Sequence, residues 1–366
     1  MRAWAVVENG KPLREIELPT PEPTGTEVLL EVTHCGVCHS DLHIWEGAYD
    51  LGPSRGVMSL KDRGVALPLA MGHEIVGRVL RWGPEAGAAP GGSDLRAGQR
   101  RIVYPWIGCG ECARCRAEED NMCAVRARSI GIYRHGGYAT HVLAPEPRHL
   151  VDPGDLDPAL AATYACSGVT VYSAIRKALP LPPDEPVVLV GAGGLGLNAI
   201  SVLLALGHRR IVSVDVSEAK LAAAREAGAT DAVLATPDDG PGTTARLLAA
   251  CGGPVEAVVD LVNGAATARF AFDALRKGGK LVQVGLFGGE LALPLPIMAM
   301  RALTVQGSYV GSPKELRALV ALAQGGRVRP MPVETEPMPN ADAALNRLRE
   351  GKVTGRVVLT AESAAA

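Results

Sequence analysis

Four cysteines crowd one short segment, Cys109-Gly-Glu-Cys112-Ala-Arg-Cys115 followed by Cys123. A tetrahedral zinc needs four soft ligands that a tight loop can wrap around it, and this spacing supplies them locally. Paired disulfides or a redox-active Cys-x-x-Cys are the competing uses, but four clustered thiols exceed what either needs. A zinc-ribbon nucleic-acid module is a third, yet Glu111, Glu118, Glu119 and Asp120 offset Arg114 and Arg116, which leaves no clear basic face. Four thiolates leave zinc no open position, so a metal held here is structural.

A second pattern is suited to phosphate. Gly191-Ala-Gly193-Gly194-Leu195-Gly196 lies between an apolar strand and a helix, where glycine permits a tight turn and close approach of a pyrophosphate to a helix N-terminus. Alone, such a run is equally a structural turn. Asp215, at the end of the next strand, strengthens the dinucleotide reading because a carboxylate there bonds the ribose hydroxyls. That carboxylate repels a 2′-phosphate, and no arginine stands at Val216 or Ser217 to neutralise one, while Arg209 and Arg210 precede the strand. NAD is therefore expected over NADP. Lys220 in the following helix, and Val284 on a later strand, are placed on the cofactor side.

Three further segments are far apart: Cys35-Gly-Val-Cys38-His39-Ser40-Asp41-Leu-His43, Gly72-His73-Glu74, and Ala165-Cys166-Ser-Gly-Val-Thr170-Val-Tyr172. Singly, Cys38 and Cys166 read as buried thiols and His73 as a core histidine. Together, in this order around the cysteine lobe and before the glycine turn, they resemble the zinc-dependent alcohol dehydrogenase family of the medium-chain dehydrogenase/reductase superfamily. With the C-terminal Gly355-Arg-Val-Val-Leu359, the resemblance covers essentially the whole chain.

The resemblance implies a mixed α/β fold with a mostly-β GroES-like catalytic domain and a doubly wound parallel (Rossmann) cofactor domain. It makes Cys38, His73 and Cys166 the ligands of a catalytic zinc, the Cys2His set of alcohol dehydrogenases. Ser40 and His43 become a proton relay, Asp41 orients His73, and Glu74 sits behind the metal. His39 and Thr170 match cofactor-contacting positions, while Trp45 and Trp106 match pocket aromatics that are equally well core residues. The implied reaction is reversible hydride transfer from an alcohol to NAD, giving an aldehyde or ketone, with two zincs per subunit. A polyol dehydrogenase of the same superfamily is the nearest alternative, and Cys166 argues against it; a non-catalytic zinc-stabilised nucleotide-binding protein is the other. Leu303–Val310 is similar to the family's edge strand that pairs across a twofold axis, which implies a homodimer or homotetramer. Residues 51–67 are longer than the equivalent loop of compact members and stand as a pocket rim, an interface element or a solvated insertion.

The elements that must position these groups follow from pattern. At 366 residues the chain exceeds one core, so two domains are expected: a catalytic domain over 1–158 with the zinc lobe at 109–123, a cofactor domain over 159–302, and a strand and return to the first domain over 303–366. The first stretch is rich in short β-like runs (27–33, 74–80, 101–104, 139–143) after an N-terminal strand. From about Ala159 strands (187–190, 211–214, 232–234, 255–260, 280–285) alternate with helices (after Gly196, 217–227, 265–276), the pattern of a parallel sheet. Helices at 313–324 and 341–349 and a strand at 355–359 close the chain, and 361–366 carries no packing pattern. Cys35, Cys251, His34, His135, His141, His149 and His208 are assigned to the core.

Composition excludes other classes. A net charge of −2 gives no global basic field for nucleic acid. The charge-free run Val187–Leu206 is long enough for a membrane helix, but its glycines, Asn198 and Ser201 favour strand, turn and helix. With no secretory signal at Met1–Glu8, a cytoplasmic protein is expected, with a small-molecule substrate and neither membrane nor nucleic-acid partner.

Overall fold

The computed structural model describes residues 1–237 and 239–361. The tail 362–366 lies outside the described residues.

A seven-stranded sheet forms the frame of the first domain. Its central strand, Val28–Gly36, pairs antiparallel with Glu74–Trp82 along its length, with His141–Ala144 at its start and with Arg356–Thr360 at its end. Val28, Leu29 and Leu30 are fully buried, and each such side chain contributes about 1.5–3 kcal/mol. The register opposes Gly36 to Glu74 and Val358 to Gly36. Three distant chain segments therefore lie side by side next to Cys38, which follows the first strand, and His73, which precedes the second.

The second sheet is wholly parallel and has six strands, ordered Asp231–Leu234, Ile211–Asp215, Val187–Val190, Val255–Asp260, Leu275–Gln283, Thr304–Gly307. Chain order reverses between Val187–Val190 and Val255–Asp260, which opens a crevice at the strand ends. The four residues Val187–Val190 are all buried, so they read as a continuous apolar run rather than an alternating one. No helix among the described residues is long and apolar enough to cross a membrane: the run from Val187 is strand, turn and the helix Gly194–Ala205.

Most elements stand within a residue or two of their sequence expectation. The helix Glu218–Ala227 starts after its Ser217 N-cap, whose hydroxyl accepts from Lys220 N–H, and stops at Gly228 in the left-handed region (φ 114°). Pro313–Gln324 and Ala341–Arg349 match in full. The helix expected over 265–276 ends at Asp273 instead, because Leu275 already pairs with Val255 and the chain passes through Gly278 (φ 80°) within the strand. A helix over Gly240–Cys251, with Asp239 as its cap, was not anticipated; it is the crossover that two parallel strands require. His149 and His208 are buried as expected, whereas His34, His135 and His141 are only half-buried. His34 and His141 lie beside Thr33 and Thr140, whose hydroxyls they meet at 3.1 and 2.9 Å.

Candidate active site and metal centres

Cys38 caps the helix His39–Glu46, its own N–H held by Asp41 Oδ2 at 2.9 Å. His73 begins the turn into the strand Glu74–Trp82. Cys166 sits in a π-helical turn, Tyr164–Gly168, between the helices Pro158–Thr163 and Val169–Ala178. Such a turn widens the backbone and is frequent at functional sites; nothing in the residue pattern announced it. The ligand atoms of Cys38, His73 and Cys166 all lie within 4.8 Å of one another, and all three residues are buried.

The geometry suits zinc. A tetrahedral ion with Zn–S near 2.3 Å holds its sulfurs about 3.8 Å apart, and Cys38 Sγ stands 3.9 Å from Cys166 Sγ. His73 Nδ1 lies 3.2 Å from Asp41 Oδ1, which selects the tautomer that turns Nε2 toward the thiols. Both ring nitrogens are buried without a well-formed hydrogen bond, and at Nε2, the one turned away from Asp41, a metal would remove that cost. Asp41 is itself pinned by Tyr138 Oη at 3.2 Å and Gly72 N–H at 3.3 Å. Hydrogen bonding from Cys166 holds the Cys38 thiol below its ordinary pKa, and the same contact lifts that of Cys166.

Glu74 lies behind this trio. Its Oε1 accepts from Arg356 Nη2 at 3.0 Å and from Ser167 N–H at 3.1 Å. Burial pushes its pKa up to about 7 even though Arg356 opposes the shift. Arg356, whose strand returns from the C-terminus, received no role from sequence; its proximity depends on the last strand pairing with the first domain.

Ser40 and His43 stand one turn apart on the helix His39–Glu46, a spacing that puts them on one face. The His43 ring lies 4.7 Å from Tyr49, and its Nδ1 is 3.6 Å from Glu46. Burial lowers its pKa, and Glu46 opposes the shift.

The four clustered cysteines form the second centre, with ligand atoms again within 4.8 Å. Sulfur separations are 3.9 Å for Cys109–Cys115, 3.6 Å for Cys112–Cys115 and 3.9 Å for Cys112–Cys123, tetrahedral edges once more. Cys112 N–H donates to Cys109 Sγ and Cys109 N–H to Cys123 Sγ, each at 3.3 Å. Such donors favour thiolates, and the Cys112 donor holds Cys109 below its ordinary pKa.

At the glycine turn, Gly191 takes φ 102°, and a Cβ at Gly196 would meet Gly191 O at 2.1 Å. A Cβ at Gly193 would meet nothing within 4 Å, so that face of the turn is open. Arg356 Nε and Thr170 Oγ1 are buried without partners, and the charges of Arg356 and Lys220 both reach His39. Asp215 accepts from Ala192 N–H at 2.8 Å and Ser217 N–H at 3.0 Å. Val284 is buried, its N–H on Asp260 O at 2.9 Å, and Leu195 is half-buried in the first turn of the helix Gly194–Ala205.

A cleft of about 820 Å³ runs between the two domains. Trp106 lines it with its ring 5.2 Å from that of His73 and 5.9 Å from Tyr309. Burial raises the Tyr309 pKa to about 12. Trp45 is not among the residues lining this cleft; it donates to Lys11 O at 2.6 Å and packs under Arg349 at 5.2 Å. It sits at the C-terminal end of its helix, and the Asn9 side chain, which donates to Trp45 O, ties that end to the outer loop. The long 51–67 segment forms a rim of the cleft through Leu51, Arg55, Met58, Leu60 and Arg63, following the hairpin Ala48–Asp50 and Val57–Ser59.

Residues 24–153 match the alcohol dehydrogenase GroES-like domain and residues 194–325 the zinc-binding dehydrogenase domain. An NAD-dependent alcohol dehydrogenase of Sulfurisphaera tokodaii is 38% identical over 98% of this chain and 99% of its own length. The chain belongs to the zinc-dependent alcohol dehydrogenase family. An alcohol dehydrogenase of Geobacillus stearothermophilus is 32% identical over 98% of both chains. The crystal structure of the alcohol dehydrogenase from Aeropyrum pernix superposes with a TM-score of 0.86 at 31% identity, covering 98% of this chain and 100% of that one. Family membership agrees with the two-domain α/β architecture seen here and with the two cysteine-bearing centres.

Proposed function

We propose that this chain is an NAD-linked alcohol dehydrogenase that interconverts an alcohol and its aldehyde or ketone, with Cys38, His73 and Cys166 holding a catalytic zinc and Cys109, Cys112, Cys115 and Cys123 a structural one. The observation that carries the reading is the buried trio with an unpartnered His73 Nε2. When bound, zinc supplies the positive charge that lowers the pKa of an alcohol hydroxyl, and NAD accepts the hydride. Ser40 takes the hydroxyl proton and His43, its ring set against Tyr49, passes it toward solvent. Asp41 keeps the His73 ring in one tautomer and orientation. His39, Arg356 and the open face at Gly193 receive the pyrophosphate; Asp215 and Lys220 take the adenosine ribose, and Thr170 faces the nicotinamide. Trp106 forms the wall of the substrate pocket nearest the metal. Cys166 places its thiol within 4.8 Å of the ligand atoms of Cys38 and His73, whereas Glu74 is outside that group and has its Oε1 engaged by Arg356 and Ser167, which favours Cys166 as third ligand and disfavours the polyol-dehydrogenase alternative.

A second copy of the chain completes the assembly. Thr304–Gly307 is the outer strand of its sheet, and Phe287, Leu295 and Met300 nearby are 75%, 76% and 65% exposed, an apolar surface of the kind that interfaces cover. With all eight cysteines free, a reducing, cytoplasmic setting is the natural one. The test is direct: purified protein with NAD and a panel of primary and secondary alcohols should generate reduced-nicotinamide absorbance, metal analysis should find about two zincs per chain, and light scattering should give a dimer or tetramer. No absorbance change with any alcohol or carbonyl would sink the enzymatic reading; a monomer would sink only the assembly.

A further inference from the structure

Beside the main cleft lies a second basin of about 540 Å³ walled by Arg63, Arg126, Arg128 and Arg134. The two share Arg63, Cys123, Ala127 and Tyr133 as lining residues, so the basin adjoins the cleft mouth. Arg126, Arg128 and Arg134 come from the chain just past the zinc lobe, and Arg63 joins them from the long 51–67 segment, which no spacing in the sequence indicates.

Among the described residues none of the four makes an ion pair with a carboxylate. Arg128 spends its Nε on Gly108 O at 2.9 Å. Arg134 Nη1 is buried with no partner; burial and the Arg128 and Arg126 charges all oppose its protonation, with Glu27 the opposing charge. A concave site that gathers guanidinium groups and leaves one donor buried and unmatched is destabilised until an acceptor arrives. The matching acceptor is an oxyanion, because the planar guanidinium fork bonds carboxylate and phosphate in pairs.

The neighbouring cleft indicates where that oxyanion comes from. Tyr49, Tyr133 and Tyr309 line that cleft together with Trp106, whose ring lies 5.2 Å from that of His73. Tyr133 and Arg63 belong to both spaces, so the cleft that Trp106 lines beside His73 is continuous in its walls with the arginine basin.

We propose that the arginine basin is an oxyanion subsite seating the carboxylate or phosphate end of an alcohol or carbonyl substrate whose other end reacts at the Cys38–His73–Cys166 centre. This rests on the alcohol-dehydrogenase reading above and specifies its substrate class. The experiment compares kcat/KM for ω-hydroxy acids, from hydroxybutanoate to hydroxydecanoate, with that for n-alkanols of the same length, in the zinc-loaded parent and in R63Q/R126Q, whose positions are exposed. At one chain length the acid should exceed the alkanol, and the double substitution should lower that ratio by about tenfold or more, the scale of one or two charge-assisted hydrogen bonds. Inorganic phosphate should compete with the preferred acid and not with the alkanol. Alkanols oxidised with no acid preference at any length, or a preference the substitutions leave unchanged, would overturn the subsite while leaving the dehydrogenase intact. Phosphate binding by calorimetry without acid preference would also overturn it, marking a site for free anions. Turnover of neither class overturns both readings together.

Discussion

Replacing Asp215 by Asn should shift the protein's cofactor preference by one to two orders of magnitude. The carboxylate is fixed from both sides, Ala192 N–H on one oxygen at 2.8 Å and Ser217 N–H on the other at 3.0 Å, so it cannot swing away from an incoming 2′-phosphate. A phosphate of charge about −2 held roughly 5 Å from it, at an effective dielectric of about 40, is repelled by about 3 kcal/mol. That corresponds to about a hundredfold preference for NAD over NADP in kcat/KM. Asn keeps the shape and one acceptor but removes the charge, so the ratio should fall toward unity, at a cost of about 1 kcal/mol in stability for the weakened backbone hydrogen bond. Steady-state kinetics with both cofactors at saturating alcohol, in parent and variant, give the ratio; denaturant unfolding gives the stability. A parent that uses the two cofactors equally, or a ratio unmoved by the substitution, would refute the electrostatic argument.

The two cysteine centres should separate in their effects: Cys38→Ala should abolish turnover and remove one zinc with the unfolding midpoint little changed, whereas Cys112→Ala should lower the midpoint sharply because structural metal contributes folding energy directly; equal losses of stability would contradict the assignment. Breaking the Glu74–Arg356 pair, whose side chains are 0% and 3% exposed, by Glu74→Ala should cost about 3–5 kcal/mol in urea unfolding because it leaves a buried guanidinium unpaired, and adding Arg356→Met should recover part of it; a loss under 1 kcal/mol would mean the pair is hydrated. Asp260 is buried, and burial pushes its pKa up to about 6 against hydrogen bonds from Val262, Asn263 and Thr267. Its unfolded value is about 3.9, so the folded chain holds the proton more tightly and its stability falls as pH rises from about 4 to about 6, by up to about 2–3 kcal/mol. Urea unfolding across that range should show this slope in the parent and a flatter one in Asp260→Asn; identical slopes would exclude Asp260 as the source.

Much of this was legible from residue order alone where the chemistry is local. Cys109 to Cys123 need only a loop to meet, and Gly191 to Gly196 with Asp215 need one strand, one turn and the adjacent strand; in both cases spacing along the chain already bounds distance in space. The helices Pro313–Gln324 and Ala341–Arg349 were equally readable, since an apolar stripe and a cap are properties of a single segment. By contrast, the sequence left Trp45 between pocket and core, because a helix of eight residues, His39–Glu46, points its successive side chains in different directions and only the contact with Arg349 shows which way this one faces.

The tertiary structure decided whatever depends on contacts between distant segments. Cys38, His73 and Cys166 could be grouped from sequence only by family likeness; what joins them physically is the Gly36-to-Glu74 register and a π-helical turn invisible in composition. Arg356 reaches Glu74 only because the last strand pairs with Val28–Gly36, and Arg63 meets Arg126, Arg128 and Arg134 only because the 51–67 segment folds over the zinc lobe. Local sequence dictates backbone conformation and ligand sets that one loop can close. Sheet register and the path of the returning chain set the remaining distances, and these are fixed by burial and hydrogen-bond pairing summed over the whole fold, which no single segment encodes.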